Sequence, residues 1–272
     1  MQTKGLSRNP IDKYYTKNAT VECCKQLIQQ YIAIGQNDLI IEPSAGDGAF
    51  MQCIKSISPN YRFYDLEPAN DEIIQQDYLT LNYKDFTSVY QDIHIIGNPP
   101  FGRQSSLAIK FIKKSCEFCY SISFILPKSF KKDSLKKAFP LNFHLLYETD
   151  LPENSFLVNN VEYNVPSLFQ IWVKKSYHRE IVEKLEPRNF EFVEKTNMPD
   201  ISFRRVGVNA GKIDTNIDEK SEQSHYFIKF TNGKSRDENI QSLSPSKYEF
   251  NNTVGPKSIS KQELIKEFAK FI

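Results

Sequence analysis

No stretch of this 272-residue chain approaches the roughly 18 consecutive apolar residues that a membrane span requires. The N-terminal "MQTKGLSRNPIDKYYTK" lacks the apolar core of a secretory signal. An intracellular, cytoplasmic location is therefore expected, a nuclear one being compatible with the same composition. Cysteine is scarce and odd in number, at Cys23, Cys24, Cys53, Cys116 and Cys119, which fits no paired disulfide framework and points to free thiols. Cys116 and Cys119 form a C-x-x-C, in a segment that reads as a helix, with no second pair nearby; burial against a sheet is expected there, and no metal. Neither a G-x-G-x-x-G cradle nor a P-loop lysine follows any strand, so nucleotide phosphates are not the expected ligand. Internal repeats are absent.

What is present is ordinary globular composition, 40% hydrophobic and 25% charged, in a chain long enough for one large domain or one domain with a modest extension. The net charge of +2 conceals an uneven distribution. Arg103, Lys110, Lys113, Lys114, Lys128, Lys131, Lys132, Lys136 and Lys137 face only Glu117 and Asp133 in the same segment, so the rest of the chain is acidic. Such a run is either a solvated helix face or a surface that meets phosphates.

Helical spacing of Val21, Cys24, Leu27, Ile28 and Tyr31 predicts a helix after Thr16, ended by Gly35. "DLIIEP", "YRFYDLEP", "IIQQDYL", "DIHIIGNPP" and "SISFILP" read as successive strands, with helical patterns after "SAGDGAF" and in "SLAIKFIKKSCEFC". "FHLLYETDL" and "VPSLFQIWVKK" read as two more strands joined through a hairpin-like "PENSFLVNNVEYN", so the sheet is expected to end antiparallel. The fold class predicted is α/β: a Rossmann-like, mostly parallel doubly wound sheet of about seven strands with an antiparallel last strand, plus a small α+β C-terminal extension. The expected domains are residues 1–175 and 176–272. In the second, "FEFVEK", "ISFRRVG" and "HYFIKF" read as short strands and Ile213 to Ser224 as a mobile loop. Ser260 and Glu263 have capping-box spacing before a last helix.

In an open α/β sheet, ligands bind beyond the carboxyl ends of the strands. Four strand ends carry chemistry here. "EPSAGDGAF" places Gly46 and Gly48, with Asp47 between them, where a backbone can pass close under a ligand. Asp65 closes the next strand, where a carboxylate can take both hydroxyls of a ribose. Asp77 can accept from an exocyclic amine. Asn98, Pro99, Pro100 and Phe101 form a rigid segment rich in acceptors: the Asn98 side-chain oxygen and the Pro99 carbonyl can hold the two hydrogens of an NH2 group, and Phe101 can stack on the ring that bears it.

These motifs, in this order, resemble the S-adenosylmethionine-dependent N6-adenine amino-methyltransferases with an Asn-Pro-Pro-Phe/Tyr signature, over roughly Asp12 to Lys175. "DKYYTK" is similar to the family's N-terminal motif, "EPSAGDGAF" to its methionine-binding loop and "FILPKSF" to its fifth-strand motif. The resemblance implies S-adenosyl-L-methionine as cofactor, held by Tyr15, Thr16, Glu42, Pro43, Ser44, Ala45, Gly46, Asp47, Gly48, Asp65, Leu66, Asp77, Tyr78 and Asn98. It implies catalysis by Asn98, Pro99, Pro100 and Phe101, without a metal. The absence of cysteine from this loop argues against ring-carbon methylation through a covalent intermediate.

The substrate expected is adenine in nucleic acid, DNA ahead of RNA; the glutamine amide of a protein, or a catalytically inactive nucleic-acid-binding subunit, are the competing readings. Phe101, Lys128, Arg204 and Arg205 are the candidate substrate contacts, the arginines reading equally well as an edge-strand surface.

Overall fold

The computed structural model describes residues 14–158, 160–181, 183–248 and 256–272. Asp12 and Lys13 of "DKYYTK" lie outside them. The chain divides after Ile181 into two compact units.

The first unit begins with β1 (Tyr15–Thr16), α1 (Asn18–Tyr31), β2 (Leu39–Glu42), α2 (Met51–Ile57), β3 (Tyr61–Asp65) and β4 (Ile74–Gln75). It continues through α3 (Lys84–Thr87), β5 (Ile93–Gly97), α4 (Ser106–Cys116), β6 (Ser121–Pro127) and α5 (Asp133–Lys136) to β7 (Phe143–Asp150), β8 (Phe156–Val158), β9 (Val161–Tyr163) and β10 (Ser167–Lys174). Seven of these strands form one sheet in the order β4-β3-β2-β5-β6-β10-β7. β2, β3, β4, β5 and β6 pair in parallel, and β10 runs antiparallel to both of its neighbours. This is the Rossmann-like, doubly wound arrangement that the alternation of strands and helices predicts.

Burial explains why the central strands read as unbroken apolar runs. Every residue of β2, β5 and β6 is buried, as a parallel sheet covered on both faces requires. Ala108, Phe111 and Ile112 of α4 pack on the face carrying Leu39, Ile41, Ile93, Ile95, Ile122 and Phe124.

Three sequence expectations change here. α1 ends at Tyr31, and its cap residue Ile32 is already extended (φ −123°, ψ 119°), so Gly35 does not terminate it. Gly35 instead donates its N–H to Asp38 Oδ2 at 2.6 Å, in the turn before β2. Cys119 lies beyond α4, after the turn at Glu117 and Phe118, although it is buried as expected. The segment between β7 and β10 is more than a connection: its β8 and β9 pair with each other, and β8 pairs with β1.

The second unit is a four-stranded antiparallel sheet of β11 (Phe190–Val193), β12 (Ile201–Arg204), β13 (Ile213–Asp214) and β14 (His225–Phe230), with α6 (Arg236–Leu243) and α7 (Lys261–Phe268). Phe190, Ile201, Phe203, Ile228, Leu264 and Phe268 form its core. The Ser260–Glu263 capping box is present at the start of α7. Two further expectations are corrected. β12 pairs with both β14 and β13 and so is no edge strand. Ile213 to Ser224 is not loop throughout: Ile213 and Asp214 form an edge strand, and Lys220 Nζ returns to Asp214 Oδ2 at 2.8 Å.

Candidate active site

The strand order reverses between β2 and β5, and the crevice beyond their carboxyl ends is where this architecture binds ligands. A cavity of about 540 Å³ opens there. Tyr15, Pro43, Ser44, Gly46, Asp65, Leu66, Asp77, Tyr78, Asn98, Pro99, Pro100 and Phe101 all line it. Thr16, Glu42, Ala45, Asp47, Gly48 and Lys128 do not. The sequence reading missed Tyr14, Glu67, Gln76, Leu79, Gly102, Arg103, Leu107 and Phe111. Leu107 and Phe111 were findable, since their four-residue spacing puts both on one face of α4.

The acids are already partly engaged by backbone. Asp65 accepts from Gly46 N–H through Oδ2 at 2.8 Å and from Glu67 N–H through Oδ1 at 2.9 Å, and each oxygen keeps a further lone pair. The first bond ties the turn after β2 to the end of β3. Asp77 caps the short helical turn Tyr78–Thr80 by accepting from Leu79 N–H at 2.9 Å. Tyr78 offers no free hydroxyl: it is bonded to Ser115 Oγ at 2.8 Å, and its ring stacks on Phe111. Any contact Tyr78 makes in the cavity is therefore through its ring or backbone.

Glu42 is 2% exposed, and its Oε2 has no hydrogen-bond partner among the described residues. Burial pushes its carboxyl well above the ordinary range, with the charges of Asp47 and Asp65 acting in the same direction. It packs so closely on the end of β5 that a Cβ at Gly97 would lie 3.3 Å from Glu42 Cγ. A side chain there would press the two strand ends apart.

Asn98 is the best defined group. Its Nδ2 donates to the Tyr14 carbonyl and to Thr16 Oγ1, each at 3.2 Å, while its Oδ1 is buried and unpartnered among the described residues. The Tyr14 carbonyl can only accept, so the amide must turn its NH2 towards β1 and its oxygen away. Ser44 Oγ donates to the Asn98 carbonyl at 3.2 Å, which ties this loop to the turn after β2. Phe101 carries the loop into α4, its carbonyl accepting from Leu107 and Ala108 N–H.

The candidate substrate contacts are dispersed. Lys128 and Lys131 flank Asp150 at 3.0 and 2.7 Å. Burial acts to raise the Asp150 carboxyl, but the hydrogen bonds from Lys131 and Lys128 outweigh it and hold it below its usual range. Lys136 pairs with Glu148 and Lys114 with Glu117, so much of the basic run is internally neutralised. Arg204 and Arg205 belong to the second unit. Arg204 Nε donates to the Val206 carbonyl, and Arg205 Nη2 to the Gln223 carbonyl, both at 2.8 Å.

No protein-family model matches the chain, and no curated protein matches it. Among solved structures it is similar to a protein from Pyrococcus horikoshii provisionally assigned as an RNA methyltransferase, at 13% identity over 63% of this chain and 93% of that one, with a TM-score of 0.45. It is similar also to a protein from Listeria monocytogenes provisionally assigned as a class I S-adenosylmethionine-dependent methyltransferase, at 13% identity over 66% of each chain and a TM-score of 0.46. A 23S rRNA methyltransferase aligns at 11% identity over 60% of this chain and 71% of that one, with a TM-score of 0.44. Similarity of this order assigns neither cofactor nor substrate to the present chain.

Proposed function

We propose that this protein transfers a methyl group from S-adenosylmethionine to the exocyclic N6 amine of adenine in nucleic acid, with DNA the first substrate to test and RNA the second. The observation that carries the reading is the Asn98 amide: a buried acceptor without a partner among the described residues, just beyond the end of the central strand, in a cavity edged by the carboxylates of Asp65 and Asp77. The residues present fit the cofactor. Asp65 keeps lone pairs for a ribose diol, Asp77 for an adenine amine, and the turn around Gly46 offers close backbone approach for the methionine part. When bound, the cofactor supplies an electrophilic methyl group on a sulfonium.

The residues of the chain supply the rest. An aromatic amine is a poor nucleophile because its lone pair is delocalised into the ring. Asn98 Oδ1 and the Pro99 carbonyl accept its two hydrogens, draw the nitrogen towards tetrahedral geometry and leave its lone pair free to take the methyl group, after which one of the two protons passes to water. Phe101 stacks on the base, which must leave the helix if the substrate is a duplex. We assign methyl transfer to residues 1–175, and contacts to the polymer to residues 176–272 together with the basic face of α4.

Incubation of the protein with labelled S-adenosylmethionine and, separately, duplex DNA, single-stranded DNA, RNA and protein tests this directly. N6-methyladenine in a nucleic acid is the expected product; label on protein glutamine, or no transfer to any polymer, refutes it. Asn98→Ala should lower kcat by about 10²- to 10³-fold, as loss of a positioned transition-state hydrogen bond does. Cofactor Kd by calorimetry should stay within about threefold, because Asn98 acts on the amine.

A further inference from the structure

We infer that Thr16 is a positioning residue: its hydroxyl, with the Tyr14 carbonyl, locks the Asn98 amide so that Oδ1 is presented as an acceptor. This rests on the proposed amine chemistry and changes the expected role of Thr16, which the family resemblance made a cofactor contact. Thr16 does not line the cavity; it is 6% exposed, and its Oγ1 takes a hydrogen bond from Asn98 Nδ2 at 3.2 Å.

The physical argument concerns rotation of an amide. Asn98 has one acceptor and one NH2 group at the end of a side chain whose terminal torsion is broad. Turned over, it would present donors where an amine needs an acceptor, and attraction would become repulsion. The Tyr14 carbonyl sets the sense of the amide, because it can only accept. One contact leaves the amide free to swing about it, and the Thr16 hydroxyl removes that freedom. Both partners lie on β1 and the residue before it, which are themselves fixed from outside. Tyr15 and Thr16 pair with Leu157 and Phe156 of β8, and Lys17 N–H donates to the Ser155 carbonyl at 3.0 Å. The Tyr14 ring stacks on Tyr163 of β9 at 5.7 Å, and Lys17 Nζ meets Glu162 at 2.5 Å. The β8–β9 hairpin, inserted between β7 and β10, therefore aims, through β1, the asparagine that follows β5.

The test compares Thr16→Val, which keeps the shape and removes the acceptor, with Thr16→Ser, which keeps the acceptor. Thr16→Val is expected to lower kcat by about 10- to 100-fold, the range seen when a reacting group is misplaced by about an ångström. KM for the cofactor should change less than about threefold, and Thr16→Ser should restore most of kcat. An unchanged kcat in Thr16→Val, or an equal loss in both variants, overturns the inference. A second readout needs no activity. The side-chain N–H pair of Asn98, assigned by its loss in Asn98→Ala, should exchange faster with solvent in Thr16→Val, where only the Tyr14 carbonyl still holds it, than in the wild type and in Thr16→Ser. Equal exchange in all three overturns the inference as well. If the wild type methylates no polymer, the proposed function fails, while the exchange measurement still decides what holds Asn98.

Discussion

Gly102 shows how one residue can govern the mouth of the site. It follows Phe101 with φ +68°, and a Cβ there would lie 2.8 Å from Leu107 Cγ and 2.9 Å from the Leu107 backbone nitrogen. Backbone cannot swing aside as a side-chain tip can. Gly102→Ala should cost about 1–3 kcal/mol in urea unfolding, combining left-handed strain with the clash. It should also reduce kcat by displacing Phe101. His94 on β5 gives the pH dependence. Its Nε2 lies 3.3 Å from Asp38 Oδ2 and its Nδ1 2.7 Å from Ser121 Oγ. Burial lowers its pKa and outweighs the opposing Asp38 carboxylate, so the folded protein holds it neutral. An unfolded imidazole takes up a proton below about pH 6.5, so stability from this group is complete above that pH and is lost as pH falls through the depressed folded value. The urea midpoint should therefore drop between pH 7 and pH 5, and drop less in His94→Gln; parallel profiles would reject the assignment.

At the scale of elements, α4 separates structural lysines from available ones. Ser106, Lys110 and Lys113 are exposed along one face, and Arg103, before the helix, lines the cavity. Among the described residues Arg103, Lys110 and Lys113 make no ion pair, unlike Lys128, Lys131 and Lys136. If a nucleic acid tracks this face, Lys110→Gln with Lys113→Gln should reduce the slope of log K against log salt by roughly 1.5, at about 0.7–0.9 per phosphate contact. Cofactor binding should be unchanged. Charge reversal at Lys131 should act instead through stability, by removing one of the two lysines that hold Asp150. Elements were legible where local chemistry decides them: "DLIIEP" and "SISFILP" read as strands because short, mostly apolar, β-branched runs suit strands buried on both faces. They were misread where tertiary pairing decides. Gly35 resembles a helix stop by type, but Asp38 captures its N–H in a turn. Arg204 and Arg205 resemble a free edge, but β13 pairs beyond them.

For the whole molecule, each unit has a core of its own, centred on residues such as Ile95, Ile122 and Phe124 in the first and Phe203, Ile228 and Phe268 in the second. A chain ending at Ile181 should then bind S-adenosylmethionine nearly as tightly as the intact protein, and bind nucleic acid more weakly. Equal affinity for the polymer would remove the recognition role from the second unit. The sequence by itself determined the alternation of strands and helices in the main sheet and which side chains stand at four strand ends, because apolar runs, glycines, acids and prolines act on their immediate neighbours. Only the tertiary structure decided which way Asn98 points. Tyr14 and Thr16 lie 84 and 82 residues from it in the chain, and β1, which carries Thr16, is itself pinned by β8. A hydrogen bond across that separation depends on closure of the whole sheet, and no local pattern encodes it.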